Sequence, residues 1–308
     1  MNTLPFAHTM KRAIQRIKRI RDFVLYASIF LHNPIAITAV KKVHEDSLLW
    51  FSKNHYSEVG QDGVIGEILR RLEIKVGKFV EFGAWDGINF SNCRSLYERG
   101  WLGVFIESDS KRYQQLVKNY PDDTIITVHS LVIPGGGKTS IATETADSLD
   151  NILELNCDFN FVSNIDLISV DIDGYDLEVV MQSEARPKVF VIEGGTLVRP
   201  DLSVNNPNAG RNQQHSLSYI CAAMKTKGYQ IVAFNQDAFF VRCDLVSSIF
   251  PLNQDFLTPQ KLYLDMWHYR GARFKLYLMK ERQMNTSLVE FETMHFGSFH
   301  PNPLKALK

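Results

Sequence analysis

A doubly wound α/β sheet of seven strands, mostly parallel and closed by a C-terminal antiparallel hairpin, is the fold class that the sequence predicts, with a helical N-terminal arm before it. Three observations predict it. Five apolar runs, at 79–82, 103–107, 124–130, 166–171 and 188–193, alternate with segments of helical periodicity, as in a parallel sheet covered on both faces. Two further runs, 229–235 and 238–243, are separated only by Gln236-Asp237, which forces a hairpin. The first run also opens into a glycine-bearing turn, Gly83 to Gly87, and the second ends in an acid, Glu107, twenty residues after Gly87.

The 308 residues suffice for one large α/β domain with extensions, and the 45% hydrophobic and 22% charged content is that of a globular chain. Three regions are expected: a basic helical arm over 1–56, a sheet domain over 57–244 and an extension over 245–308 that packs on the domain. The net charge is zero, but residues 1–43 hold eight Lys and Arg against the single acid Asp22. A uniformly basic nucleic-acid binder would not divide its charge this way, so no nucleic-acid partner is expected. The four cysteines, Cys93, Cys157, Cys221 and Cys243, are scattered, which suits a reducing, cytoplasmic setting and neither a zinc site nor a disulfide framework.

In the arm, residues 11–21 carry six cations, with Ile14, Ile17 and Ile20 at helical spacing. An uncharged stretch from Phe23 to Val40 follows, broken by His32, Asn33 and Pro34. Three readings are open: a span, which needs roughly 20 mostly apolar residues; a basic amphipathic helix in peripheral contact with an anionic membrane; and a helix that docks on the domain or packs a homo-oligomer.

The first helix of the domain is expected over 61–73, where Val64, Ile65, Ile68, Leu69 and Leu72 form one stripe. Further helices are expected at 89–99, 110–119, 145–155, 174–183 and 216–227. Asp109 and Ser216 are candidate N-caps and Gly228 a candidate C′ residue. The extension is rich in aromatic residues, among them Phe250, Phe256, Tyr263 and Trp267.

The glycine turn carries most of the functional information. A glycine turn lets a ligand approach the backbone, and an acid at the end of the next strand can hold two ribose hydroxyls, which a nucleoside-containing cofactor needs. The spacing is Gly-x-x-x-Gly rather than Gly-x-Gly-x-x-Gly, so the cradle for a pyrophosphate is missing. Glu81, two residues before Gly83, would repel a diphosphate and attract an ammonium or sulfonium group. The pattern favours S-adenosyl-L-methionine over NAD. Gly135-Gly136-Gly137-Lys138-Thr139 is not a phosphate loop, because the first glycine of that motif would fall on Val132.

With these residues assembled, the chain resembles the FkbM-like group of S-adenosylmethionine-dependent class I methyltransferases. Gly60-Gln61-Asp62-Gly63 is similar to the group's opening helix. Val80-Glu81-Phe82-Gly83-Ala84-Trp85-Asp86-Gly87 with Ser91-Asn92 is similar to its cofactor turn, and Gly100 to Asp109 to its second strand. Ser148-Leu149-Asp150, Asp166 to Asp176, Val191-Ile192-Glu193 and Ala238 to Arg242 complete the resemblance, which covers about residues 57–244. It implies that Gly83 and Gly87 line the methionine and ribose portions of the cofactor and that Glu107 takes the ribose hydroxyls. It also implies an oxygen acceptor on a sugar or glycan precursor, in polysaccharide biosynthesis. Two departures stand out: the fifth strand ends in Glu193-Gly194-Gly195 rather than Glu-Tyr-Asn, and the third runs into His129-Ser130 without the acid that many methyltransferases place on the adenine amine.

Asp171, Asp173 and Asp176 fall at the carboxyl end of the middle strand, where open α/β sheets bind ligands, with Glu193 ending its neighbour. Three readings are open here. Asp171, Asp173 and Glu193 could hold Mg²⁺, whose charge would activate a sugar hydroxyl. Asp173 could act as a metal-free general base. Asp171 could contact the cofactor while Asp176 complements a helix dipole. The loop 194–215 is long for a connection. Its amides, Arg199, Arg211 and His215 suit a hydroxyl-rich or phosphorylated substrate, and His215 is the one histidine nominated as a base. Two other function classes compete: a catalytically inactive methyltransferase-like scaffold at the membrane surface, against which the intact glycine turn and ribose acid count, and a nucleotide-dependent sugar oxidoreductase, against which the missing dinucleotide motif counts.

Overall fold

Phe79 to Phe82, every residue of it buried, forms an inner strand of the fold. In a computed structural model that describes residues 43–135, 146–172, 174–195, 200–203, 205 and 215–269, this strand belongs to a sheet of seven. The strands are β1 (Lys78–Phe82), β2 (Leu102–Glu107), β3 (Ile125–His129), β4 (Leu167–Val170), β5 (Val189–Glu193), β6 (Tyr229–Asn235) and β7 (Asp237–Arg242). Their order is β3-β2-β1-β4-β5-β7-β6. β1 to β5 are parallel, with Val80 opposite Val104 on β2 and Ile168 on β4, whereas β7 runs antiparallel to both β5 and β6. The expected seven-stranded, mostly parallel sheet with its terminal hairpin is the fold of the chain. Strand order reverses between β1 and β4, and it is at the carboxyl ends of strands flanking such a reversal that open α/β sheets bind ligands.

The chain divides into two units, Met1–Val43 with Trp267–Phe291 and His44–Met266 with Glu292–Lys308; the description that follows is of the second, over its described residues. The arm's basic segment, its apolar stretch and most of the extension lie outside the described residues. Among the described residues, no helix is long and apolar enough to cross a membrane. All four cysteines are free.

The helices α1 (Gln61–Arg71), α2 (Ser110–Asn119), α3 (Leu149–Asn156), α4 (Asp176–Gln182) and α5 (Leu217–Thr226) follow the periodicity of the sequence. Ser148 and Ser216 cap α3 and α5 through their hydroxyls, and Asp109 caps α2 by accepting the amides of Lys111 and Arg112. Leu48–Phe51 forms a 3-10 turn that packs on α1 and β6. Phe250 meets the edge of Phe256 at 5.2 Å, and Tyr263 stacks on Phe234 of β6 at 5.9 Å.

One expected helix is largely absent. Of 89–99, only Arg94–Tyr97 is helical. The local side chains explain it. Asp86 Oδ1 captures the amides of Ile88 and Asn89 at 2.9 and 2.8 Å, Phe90 has φ +63 and gives its amide to Tyr56, and Glu81 takes the amides of Asn92 and Cys93. Side chains that satisfy these amides remove the incentive for helical bonds until Arg94. The hairpin also turns more tightly than expected: β7 starts at Asp237, and Gln236 alone makes the turn at φ +87.

The Gly60-Gln61-Asp62-Gly63 segment has a structural basis. Asp62 Oδ2 accepts the amides of His55, Tyr56 and Ser57 and the Ser57 hydroxyl, all between 2.7 and 2.9 Å, while Oδ1 accepts the Ser95 hydroxyl. Gly63 lies so close to the preceding loop that a Cβ there would stand 1.9 Å from the Phe51 carbonyl oxygen. One carboxylate therefore folds residues 55–57 onto α1. Asp62→Ala is expected to cost about 2 kcal/mol, since several partly buried donors lose their acceptor; a shift of the urea midpoint at unchanged slope is the measurement.

Candidate functional site

The glycine turn leaves β1 at the strand-order reversal. Gly83 is exposed at φ +77, and a Cβ on it would lie 1.7 Å from the carbonyl oxygen of Asp171 at the end of β4. The two strand ends thus meet backbone to backbone, with no side chain between them. Gly83 and Ala84 both donate to the Ile106 carbonyl at 3.1 Å. Gly87, at φ +73, is buried: a Cβ there would meet the Tyr120 ring at 2.3 Å. Tyr120 donates its hydroxyl to the Gly87 carbonyl, and Asn119 donates to that of Asp86 at 2.8 Å. The C-terminal end of α2 therefore fixes the turn from beneath. Gly83 is placed at the open rim, and Gly87 is placed where close packing needs it.

Glu107, the last residue of β2, is 4% exposed. Its Oε2 accepts the amide of Trp85 and its Oε1 that of Asp109, both at 2.7 Å. The carboxylate thus joins the glycine turn to the β2–α2 turn. Each carboxylate oxygen offers two lone-pair positions, so one on each oxygen remains for a diol. Glu81 points inward. Its carboxylate takes the Ser91 hydroxyl at 2.7 Å and the amides of Asn92 and Cys93 at 2.9 and 3.1 Å. Burial outweighs these donors and pushes its carboxyl up to about 7. Glu81 therefore organises residues 91–93 beneath the rim, a role that its spacing from Gly83 did not suggest.

Across the reversal, Asp171 follows the end of β4 and is exposed to solvent. Burial first, then the charges of Glu193 and Asp237, push its carboxyl well above the ordinary range, and it shares a hydrogen bond with Glu193. Asp176 turns back on its own loop, accepting the amides of Ile172 and Gly174 at 2.9 Å. Asp173 lies outside the described residues, as do Arg199 and Arg211.

His215 is buried. Its Nε2 lies 2.8 Å from Oε1 of Glu178 on α4, and its ring stacks on Tyr219 at 5.1 Å. A bridge between Gly195 and Ser216 brings it beside the end of β5. The hydrogen bond to His215 draws the Glu178 carboxyl below its ordinary value against the opposing effect of burial. The sequence singled out His215 but not its partner.

A buried polar network under the rim was also not foreseen. Asp237 accepts from Gln61 Nε2 at 3.0 Å and from Asn92 Nδ2 at 3.2 Å, and Asn92 also donates to Ser169 at 3.0 Å. Burial pushes the Asp237 carboxyl up to about 6. Gln61 and Asn92 both fall within segments that carry the family resemblance; Asp237 was read only as a turn residue.

The donor set bears on the two expected cofactors differently. An exposed backbone edge at Gly83, a neighbouring Asp171 and an acid at the end of β2 fit a nucleoside with a cationic tail. For Mg²⁺, no group of three or more His, Cys, Asp or Glu among the described residues is placed to hold a metal ion, and Asp173, one of the three expected ligands, lies outside them.

No family model matches the chain, and no curated protein matches it either. Solved structures do. The TrmK protein of M. capricolum in complex with the natural cofactor product S-adenosyl-homocysteine is 10% identical, with a TM-score of 0.33 over 56% of this chain and 65% of that one. This chain thus spans slightly less than two thirds of that structure. A TehB-like SAM-dependent methyltransferase from Corynebacterium glutamicum is 12% identical, with a TM-score of 0.31 over 57% and 87%. A SAM-dependent methyltransferase from Aquifex aeolicus is 11% identical, with a TM-score of 0.32 over 57% and 86%.

Proposed function

We propose that the protein is an S-adenosylmethionine-dependent methyltransferase of the FkbM-like kind that methylates a hydroxyl of a sugar or glycan precursor. One observation carries the reading: Gly83 and Asp171 stand exposed at the reversal of strand order, with the Glu107 carboxylate one strand away. Open α/β sheets bind nucleotides at this position. When bound, the cofactor supplies an electrophilic methyl group on a sulfonium.

The residues of the chain supply position. Glu107 accepts the ribose hydroxyls while the amides of Trp85 and Asp109 hold its carboxylate still. Gly83 lets the ligand approach the backbone. Asp171 and Glu193, at the carboxyl ends of β4 and β5, offer carboxylate oxygens to receive the hydrogen of the attacking hydroxyl. Methyl transfer is an in-line displacement, so holding nucleophile and methyl in register provides most of the acceleration and a strong base is dispensable. Asp173 and His215 keep their candidate roles as bases, His215 with Glu178 to orient it. The sugar acceptor rests on the family resemblance. The same reading puts the protein in the cytoplasm, with residues 11–40 in peripheral contact with an anionic membrane or in a homo-oligomeric contact.

The test is calorimetry of the full chain with S-adenosyl-homocysteine. Saturable binding is expected, and Glu107→Ala should weaken it by about 2 kcal/mol, roughly thirtyfold. Binding that is absent in the native protein, or unchanged in a folded Glu107→Ala variant, overturns the assignment.

A further inference from the structure

Trp85 has a backbone that its side chain disfavours. Its φ is +54, a region bulky residues rarely enter. The conformation aims its amide at Glu107 Oε2, 2.7 Å away. It also brings the indole ring, half-buried, under the guanidinium of Arg112, whose Cζ lies 3.9 Å from the ring centroid. Phe90 meets the indole edge-on, ring centroids 6.1 Å apart.

Arg112 belongs to the first turn of α2, and its amide is held by Asp109, the residue whose own amide bonds Glu107 Oε1. It is exposed, and among the described residues it forms no salt bridge. Two bridges therefore span the same two turns. The inner one is the Glu107 carboxylate, between Trp85 and Asp109. The outer one is the Arg112–Trp85 stack. Glu107 itself is only 4% exposed.

We propose that Trp85 and Arg112 form a clasp over the mouth of the nucleoside site, so that a ribose whose hydroxyls pair with Glu107 enters by parting the guanidinium from the indole. The clasp rests on the reading of Glu107 as the ribose acid. A cation–π contact at an exposed position is weak, about 0.5–1 kcal/mol. It slows entry and exit without closing the site. The clasp therefore governs rates more than affinity, and the indole reports on its state because its cationic cover is withdrawn when ligand enters.

Stopped-flow tryptophan fluorescence with S-adenosyl-homocysteine on the full chain tests this. The chain has four tryptophans, so Trp85→Phe identifies the source of the signal. The native protein should give a ligand-dependent change that Trp85→Phe loses while calorimetry still detects binding. Arg112→Ala should raise the association and dissociation rates together, each roughly two- to fivefold, with the dissociation constant changed by less than twofold. The clasp is overturned if both rates in Arg112→Ala stay at native values while the native protein binds normally, or if Trp85→Phe keeps the full signal. Absence of calorimetric binding in the native protein would instead remove the ribose assignment, and the clasp with it.

Discussion

Gly83→Ala should destabilise the protein by more than about 4 kcal/mol and abolish cofactor binding. Two effects combine. The backbone at φ +77 disfavours any L side chain, a cost on the order of 1 kcal/mol. The larger effect is collision, because the added methyl would lie 1.7 Å from the Asp171 carbonyl oxygen. Neither partner can retreat cheaply. The Asp171 amide is bonded to Phe82 O at 3.2 Å, and the Gly83 amide to Ile106 O at 3.1 Å. Separating the ends of β1 and β4 would break these ladders at the rim where the ligand is proposed to bind. Gly100 provides the control. It has φ +84, yet a Cβ there meets nothing within 4 Å, so Gly100→Ala should cost only the backbone term. Urea midpoints for the two variants separate strain from collision. Similar midpoints would mean that the contact between β1 and β4 yields, and that the rim is not built on it.

Much of this architecture was legible in the sequence because a parallel sheet buries whole runs of apolar residues. All seven strands lie within two residues of the positions their composition indicates, and Gln236 marks the hairpin because so short a gap leaves no alternative. The region after the glycine turn was not legible for a definite reason. Residues 89–99 have acceptable helical propensity, but Asp86 and Glu81 intercept their amides. Glu81 acts across ten or more residues, beyond the reach of any local pattern. The same limit hid Asp237, whose partners Gln61 and Asn92 lie 176 and 145 residues away. The position of Glu107 at the end of β2 was legible in the spacing. Its two backbone donors were not, since they depend on the left-handed turn at Trp85. Spacing within one segment thus placed Gly83 and Glu107 at the strand ends, and long-range closure of the chain decided which of the other acids turned inward.

Those inward acids make stability depend on pH in a direction opposite to that of paired surface carboxylates. The carboxyl of Glu81 is raised from the ordinary 4.5 to about 7, and that of Asp237 from 3.8 to about 6, burial being the main cause of both. An acid that binds its proton more tightly when folded stabilises the fold fully below its unfolded value, and that contribution is lost as pH rises through the folded value. The window therefore runs from about pH 4 to pH 7. For Glu81 the difference corresponds to on the order of 3 kcal/mol. Carboxyls shifted the other way, such as Glu67 and Glu178, lose their contribution only as pH falls below the ordinary carboxylate range, outside this window. Exposed His55, lowered mainly by desolvation, opposes the trend, but solvent screens its effect. The thermal midpoint of the native protein should therefore fall as pH is raised from 5 to 8. Glu81→Gln should flatten that slope while lowering the midpoint at pH 5, because the amide cannot accept from every donor that now faces the carboxyl group. A midpoint that holds or climbs between pH 5 and 8, or a Glu81→Gln variant with the native slope, would mean that Glu81 stays ionised beneath the rim. Its three donors would then outweigh burial, and a fixed negative charge would lie behind the glycine turn.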